Sequence, residues 1–481
     1  MYTLWRDCRF AGRQLSRSLG FTITTVLTLA LGIGATTAIF SLVHAVLLQP
    51  LPFPHAGDLM WVQQQDHATN LAEDLSYPTF FDWRARSKAF SGLTAYHTNT
   101  MSLTGVGAAQ QISGAVVSAE FFRVLGARPL LGRDFLPQEE KPGNRIVMLS
   151  YRLWRTEFNG AKDAAGRTVR LNGDLYQIVG VMPRSFGFPI TSPAPLFWTT
   201  LAVDAEGKDP ATGQRGFDQL DVIGRLKSGV SVAQAHNEMN LIAQHLALQY
   251  PDTNANFTST IVRPELDHLV GEYRPALRVL FAAVISLLLI ACVNVAGLLL
   301  ARMSQRRGEM AVRAALGASR VEITRQVLVE SVMLALGGGA VGVLLAQLVL
   351  KTMLRLAPER LPRSGEVTID GLVLGFAVAT AIATGLLFGF LPAWRASKAD
   401  PSLALQAGSR TVAGTRGEHR MQSALVILET AISLALLIGA GLLIHSFVRV
   451  LQVDPGFDAQ HILTALPGGI SRVPTSPMEG R

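Results

Sequence analysis

A chain of 481 residues, 49% hydrophobic and 16% charged with a mean hydropathy of +0.30, is too long for one ordinary domain, too apolar for a wholly soluble protein and too polar for one immersed in lipid. A few membrane helices plus a sizeable soluble domain give that average. The net charge of +8 and pI near 9.8 do not require nucleic acid, because the arginines flank apolar runs where positive-inside topology accounts for them.

The amino end, residues 1–20, carries Arg6, Arg9, Arg13 and Arg17, after which no Asp, Glu, Lys or Arg occurs until Asp58. A first span is expected over 21–48. At 1.5 Å per residue it is ~40 Å long against a hydrocarbon core of ~30 Å, so it should tilt or project. Pro50, Pro52 and Pro54 then stop it. Ala30, Gly34 and Ala38, four apart, form a small-residue stripe suited to close helix packing, within one subunit or between two.

Residues 49–275 turn soluble, with mixed charge, Gly and Pro turns and β-rich runs such as Arg145 to Leu149 and Tyr176 to Val181. Ser231 and Gln234 read as a capping box opening a helix to Tyr250, with Val232, Ala235, Met239, Ile242 and Leu246 at helical spacing. The region is an α+β domain of ample size to bury a core. His236, His245 and His268 are the histidines that invite promotion to ligands or bases; His236 and His245 fall on the polar side of that helix with no HExxH or Asp partner in sequence and are read as solvated surface residues. Asp82 beside Trp83, and Glu139 beside Glu140, read as an element edge and a solvated charge pair rather than an acid/base site. Cys8 and Cys292, both outside this domain, offer it no disulfide framework or zinc site.

Three further spans are expected at 279–301, 331–350 and 371–394, the second of them glycine-rich at Gly337, Gly338, Gly339 and Gly342. Segment 302–330 holds Arg302, Arg306, Arg307, Arg313, Arg320 and Arg325, and linker 395–428 holds Arg395, Lys398, Arg410, Arg416 and Arg420. With the amino end, these belong to the cytoplasm, which leaves the large domain outside. Lys351, Arg355, Arg360 and Arg363 in the short outer loop 351–370 disagree, and three segments outvote one. A fifth span at 430–448 returns the chain outside, to a tail over 449–481. It repeats the first: an offset of 405 pairs Leu29, Ala30, Leu31, Ile33, Gly34 and Ala35 with Leu434, Ala435, Leu436, Ile438, Gly439 and Ala440.

Segment 302–330 contains its own helix stop and start. Gly317 suits a helix end, and Ser319 with Glu322 reads as a capping box. Glu309 and Arg313 form an i,i+4 pair, and Met310 and Ala314, spaced by four, suit a groove on a partner; the alternative is an amphipathic connector lying on lipid headgroups. No GxxxxGK[ST], GxSxG or HExxH occurs, so the chain has no phosphate loop and no hydrolase signature.

These residues resemble the MacB/FtsX-type permeases of ABC transporters, and among them the duplicated orphan permeases. The likeness rests on Glu309-Met-Ala-Val-Arg-Ala-Ala-Leu-Gly-Ala-Ser319 and Pro392-Ala-Trp-Arg-Ala-Ser-Lys-Ala-Asp-Pro-Ser-Leu-Ala-Leu405. The outer domain adds Tyr77-Pro-Thr-Phe-Phe-Asp-Trp-Arg84, Phe121-Phe-Arg-Val-Leu-Gly126, Gly132-Arg-Asp-Phe135 and Val179-Gly-Val-Met-Pro183. The resemblance implies a multi-pass inner-membrane permease with a large periplasmic α+β domain of two lobes, one inserted in the other. It implies a separate ABC ATPase that holds ATP with Mg, while this chain binds no cofactor and no metal and is not itself an enzyme. Glu309, Met310, Arg313, Ala314, Gly317 and Ser319 would then belong to the loop that docks on the ATPase, and Ala30, Gly34, Ala38, Gly338 and Gly342 to helix packing. A second permease copy or half, the lipid bilayer, and a periplasmic or outer-membrane partner complete the expected set. The expected function is mechanotransmission, expelling or extracting an amphiphilic or peptide-like substrate. An FtsX-like signalling protein and a nonfunctional remnant are the alternatives, the latter because a duplicated permease would continue beyond residue 481.

Overall fold

The structure is a computed structural model and describes residues 2–191, 193–306, 309, 312, 319–356, 367–396 and 416–451. It divides into two compact units, one of Met1–Leu48 with Tyr273–Ile462, the other chiefly Gln49–Glu272.

The first unit is helical. Helix α1 (Tyr2–Arg17) is separated by Ser18 alone from α2 (Leu19–Val43), which runs on as a π-helical turn through Leu48. Five helices among the described residues are long and apolar enough to cross a membrane: α2 with that turn, α9 (Tyr273–Gln305), α10 (Arg320–Leu356), α11 (Gly371–Ala396) and α12 (Arg416–Leu451). Helices α9, α10, α11 and α12 extend past their candidate spans into flanking sequence, because a helix that satisfies its own backbone has no reason to stop at the lipid boundary.

Small residues let α2 and α10 approach closely. A Cβ on Gly34 would lie 2.8 Å from the Gly342 carbonyl oxygen, and one on Gly338 2.6 Å from Leu29 Cβ. Ala30 and Ala38 of the same stripe are buried. At the other end of α2, the Ser41 hydroxyl donates to the Thr368 carbonyl at 2.9 Å and His44 lies 3.6 Å from Asp370, which caps α11 by accepting from the Val373 N–H at 2.9 Å. By contrast α12, which carries the repeated residues, is exposed along its apolar stretch, and Gly439 has no heavy atom within 4 Å of its would-be Cβ.

The second unit is an α+β domain on a sheet of eleven strands: β1 (Leu59–Gln65), β2 (Ala72–Glu73), β3 (Phe90–Thr104), β4 (Gln110–Val117), β5 (Leu131–Gly132), β6 (Ile146–Leu149), β7 (Thr168–Leu171), β8 (Asp174–Val181), β9 (Phe197–Thr200), β10 (Asp221–Leu226) and β11 (Ser259–Pro264). The order is β11-β1-β10-β3-β4-β9-β6-β8-β5, with β2 on β1 and β7 bridging β3 and β8. Strands β5–β9 gather at one end of the sheet while their neighbours in sequence, β4 and β10, belong to the other, so one lobe is inserted in the other. Short helices α3 (Tyr77–Arg86), α4 (Phe121–Leu125), α5 (Tyr151–Glu157), α7 (Pro251–Asn254) and α8 (Glu265–Val270), with the longer α6 (Val232–Gln249), cover it.

Local signals set these elements. Ser76 and Ser150 accept from the third residue on, Thr79 N and Leu153 N, starting α3 and α5. Ser231 and Gln234 form a reciprocal capping box on α6, whose Ala235, Met239, Ile242 and Leu246 enter a core with Tyr77, Phe80 and Trp83 of α3. A second core joins Tyr96, Phe121, Phe122, Phe188 and Trp198, and a third, in the inserted lobe, joins Leu153, Trp154, Val169, Ile178 and Phe197.

Candidate functional site

The segment between α9 and α10 is described through Arg306, at Glu309 and Val312, and from Ser319 onward. Met310, Arg313, Ala314 and Gly317 lie outside the described residues. At the start of α10 the Ser319 N–H donates to Glu322 Oε2 at 2.9 Å and the Glu322 N–H to Ser319 Oγ at 3.3 Å, the geometry that the Ser-x-x-Glu spacing asks for. Glu309 is exposed and accepts from Arg306 Nε at 3.0 Å, three residues behind it.

The two flanks of this segment are tied by buried charge. Arg302 on α9 and Arg306, the residue that follows its end, both face Glu330 on α10, at 2.9 Å and 3.5 Å. The Glu330 side chain is 3% exposed and those of Arg302 and Arg306 are 10% and 12% exposed, so this is a buried triad rather than a surface pair. Arg302 also donates to Ser18 Oγ at 2.7 Å and lies 4.3 Å over the Phe21 ring, which anchors it to the junction of α1 and α2. Nearer the start of α10, Arg325 donates to Asp7 of α1 at 2.7 Å. The residues bracketing 307–318 are therefore cross-linked by ion pairs and hydrogen bonds to each other and to α1. Sequence reading placed Arg302, Arg325 and Glu330 in the segment but not their partners. The signal it passed over was Glu330, a lone acid at the edge of an apolar run.

The titratable groups of the outer domain are organised otherwise than their sequence suggests. Glu139 and Glu140 are not a solvated pair. Glu139 is buried against Arg133, 2.5 Å away, and Glu140 accepts from the Ala119 N–H at 2.7 Å and faces Arg84 at 3.2 Å, because partners distant along the chain neutralise them. Asp82 pairs with Arg215 at 2.6 Å and Arg86 at 3.2 Å. His236 is likewise drawn inward: its Nε2 lies 2.9 Å from the Thr260 carbonyl and ties α6 to β11, whereas His245 stays exposed. His268 stacks on Trp61, centroids 4.0 Å apart, and Arg263 covers the other contact, 4.4 Å from that ring.

A polar row crosses the sheet beside this stack. Tyr96 on β3 pairs in register with Asp221 on β10, and Asp221 accepts from Gln63 Nε2 at 3.1 Å and Trp61 Nε1 at 3.2 Å. Burial pushes Asp221 up to about 6. Glu265, where β11 turns into α8, is fully buried, and neither carboxylate oxygen has a hydrogen-bond partner among the described residues. Burial, reinforced by Asp221 and opposed by Arg263, pushes its carboxyl up to about 8. The described residues hold no group of three or more His, Cys, Asp or Glu placed to share a metal ion.

Residues 22–242 match the family described as MacB-like periplasmic core domain, and residues 281–401 that described as FtsX-like permease C-terminal. The macrolide export ATP-binding/permease protein MacB of Agrobacterium fabrum is 28% identical over 312 residues, 64% of this chain and 46% of that protein. MacB of Escherichia coli strain K12 is 26% identical over 294 residues, 60% of this chain and 42% of that protein. The chain thus matches under half the length of these relatives. Among solved structures, the periplasmic region of MacB from Actinobacillus actinomycetemcomitans aligns with 49% of this chain and 97% of its own at 12% identity and a TM-score of 0.34. The multi-span helical unit and the α+β domain between its first and second spans coincide with the two matched segments, a stretch similar to the MacB-like periplasmic core domain followed by one similar to the FtsX-like permease C-terminal region.

Proposed function

We propose that this chain is a permease subunit that converts ATP hydrolysis by a separate ATPase into movement of its periplasmic domain, expelling or extracting an amphiphilic or peptide-like substrate. The observation that carries the reading is the buried triad of Arg302, Arg306 and Glu330, which locks together the two helices flanking segment 302–330 within the FtsX-like region. A partner gripping that segment pulls on α9 and α10 as a pair rather than on a slack loop. From α10 the displacement passes to α2 through the Gly34–Gly342 contact. Helices α2 and α9 are the covalent entry to and exit from the outer domain, at Leu48 and Tyr273, so their relative movement is delivered to both of its anchors.

In this reading α1, segment 302–330 and the 395–428 linker face the cytoplasm, as their arginines require, and the outer domain faces the periplasm. ATP and Mg belong to the partner, and the substrate does not cross the bilayer through this chain. A second permease copy or half supplies the other docking loop of a paired ATPase. The test is stimulation of a co-purified ATPase by the full chain and by Gly317→Leu, with substrate efflux from cells as the second readout. Loss of stimulation and efflux in an inserted variant supports the reading. Undiminished stimulation counts against docking at this segment, and retention of a cell-wall hydrolase without any efflux phenotype would replace transport by signalling.

A further inference from the structure

Helix α1 has two faces of opposite character. Asp7, Ala11, Gln14, Leu15 and Ser18 follow at helical spacing and turn inward: Ala11 and Leu15 are buried, Asp7 pairs with Arg325, and Arg302 reaches Ser18. The opposite face presents Trp5, Arg6, Arg9, Phe10, Arg13 and Arg17, all exposed, with Trp5 65% and Phe10 36% accessible. Its cations are not neutralised within the helix, since Asp7 is the one acid in Tyr2–Arg17 and its side chain is 13% exposed. Arg9 lies over the Trp5 ring at 5.7 Å, so aromatic and cationic groups share one surface.

A solvated charged face does not account for the exposed indole and phenyl rings, and an apolar docking face does not account for four arginines. The boundary of an anionic membrane satisfies both, taking the rings at headgroup depth and the guanidinium groups against phosphate. Ser18 alone separates α1 from the helix that enters the bilayer, which keeps this face at the membrane end of the bundle. We propose that the outer face of α1 is a binding surface for the headgroups of anionic phospholipids. Through Asp7–Arg325 and Ser18–Arg302 the bound lipid bears on both flanks of segment 302–330. The lipid binding itself does not depend on the docking role given to that segment.

The test uses the full chain in nanodiscs of phosphatidylcholine containing a fixed fraction of brominated phosphatidylglycerol or brominated phosphatidylcholine. Trp5 quenching is read as the difference from Trp5→Phe. Quenching by the anionic lipid should exceed that by the zwitterionic one, the preference falling up to about fivefold for each of Arg6→Gln, Arg9→Gln, Arg13→Gln and Arg17→Gln. Raising salt from 0.05 to 0.5 M should erase it in the unsubstituted chain, a control that needs no variant to fold. Equal quenching by the two lipids, or a preference that survives both salt and the substitutions, overturns the proposal. So does equal quenching together with protection of Trp5 by the ATPase, which would assign the face to a protein.

Discussion

Arg302 and Glu330 stand 2.9 Å apart with both side chains at most 10% exposed, joining the end of one spanning helix to the beginning of the next. Two opposite charges out of water hold each other at low net gain, but either one alone is costly. Glu330→Leu, which leaves Arg302 buried without its counter-ion and Arg306 with the exposed Glu309 alone, should therefore destabilise the helical unit by about 3–5 kcal/mol. Arg302→Met combined with Glu330→Leu should recover a substantial part of that loss. Thermal unfolding of the purified chain in detergent measures both, and a double variant no better than the single would show that the pair is not the source of the effect.

The contact between α2 and α10 gives a second expectation. Gly34→Val places methyl groups where the Gly342 carbonyl already stands 2.8 Å from a bare Cβ, so the helices must separate, at about 1–3 kcal/mol. Gly439→Val, at the equivalent position of the repeat, meets no heavy atom within 4 Å and should leave the midpoint unchanged. Equal effects of the two substitutions in the same thermal assay would remove the close contact as their explanation.

What could be read in advance was local. Both capping boxes, Ser231 with Gln234 and Ser319 with Glu322, form as their spacing indicates, because each closes within four residues. The spans and the α+β domain follow from runs of composition. What stayed hidden depends on pairing across the chain: Arg325 meets Asp7 across 318 residues, and Glu140 meets Arg84 across 56. Residues 1–20 looked like a basic end because the inward face of α1 is built from one acid, one amide and small or apolar groups that carry meaning only against α9 and α10. The Glu265 site combines a strand register with a turn, and neither is visible as a motif.

Glu265 makes the stability of the outer domain dependent on pH. Its folded value of about 8 lies above the ordinary glutamate value of 4.5, so its stabilising contribution is complete below pH 4.5 and is lost as pH rises to 8. Asp221, Asp218 and Asp134, raised to about 6, act in the same sense but are spent by pH 6, and His268, pushed down to about 4 by burial and Arg263, acts only below its ordinary 6.5. The interval from pH 6.5 to 8 thus belongs to Glu265 among these groups. Urea unfolding followed by tryptophan emission should show stability falling across that interval, by an amount on the order of 1–2 kcal/mol. Glu265→Gln, neutral at every pH, should abolish the slope; a parallel slope in the variant would place the titrating group elsewhere.

The capping box at Ser319 offers a graded way to weaken the start of α10, next to residues 307–318, without touching the triad. Ser319→Ala removes the acceptor for the Glu322 N–H, and Glu322→Ala removes the acceptor for the Ser319 N–H, each costing about 0.5–2 kcal/mol of local helix stability. Ser319→Asp keeps a capping oxygen and should behave almost as the original. Because Ser319 and Glu322 are exposed, global unfolding should barely change, whereas amide exchange over residues 319–325 should accelerate in the two alanine variants. If a partner ATPase is driven through a rigid start of α10, its stimulation should fall in the same rank order as exchange protection, with Ser319→Asp retained. Stimulation that is lost in Ser319→Asp as well would mean that the partner reads the serine side chain itself rather than the stiffness of the helix.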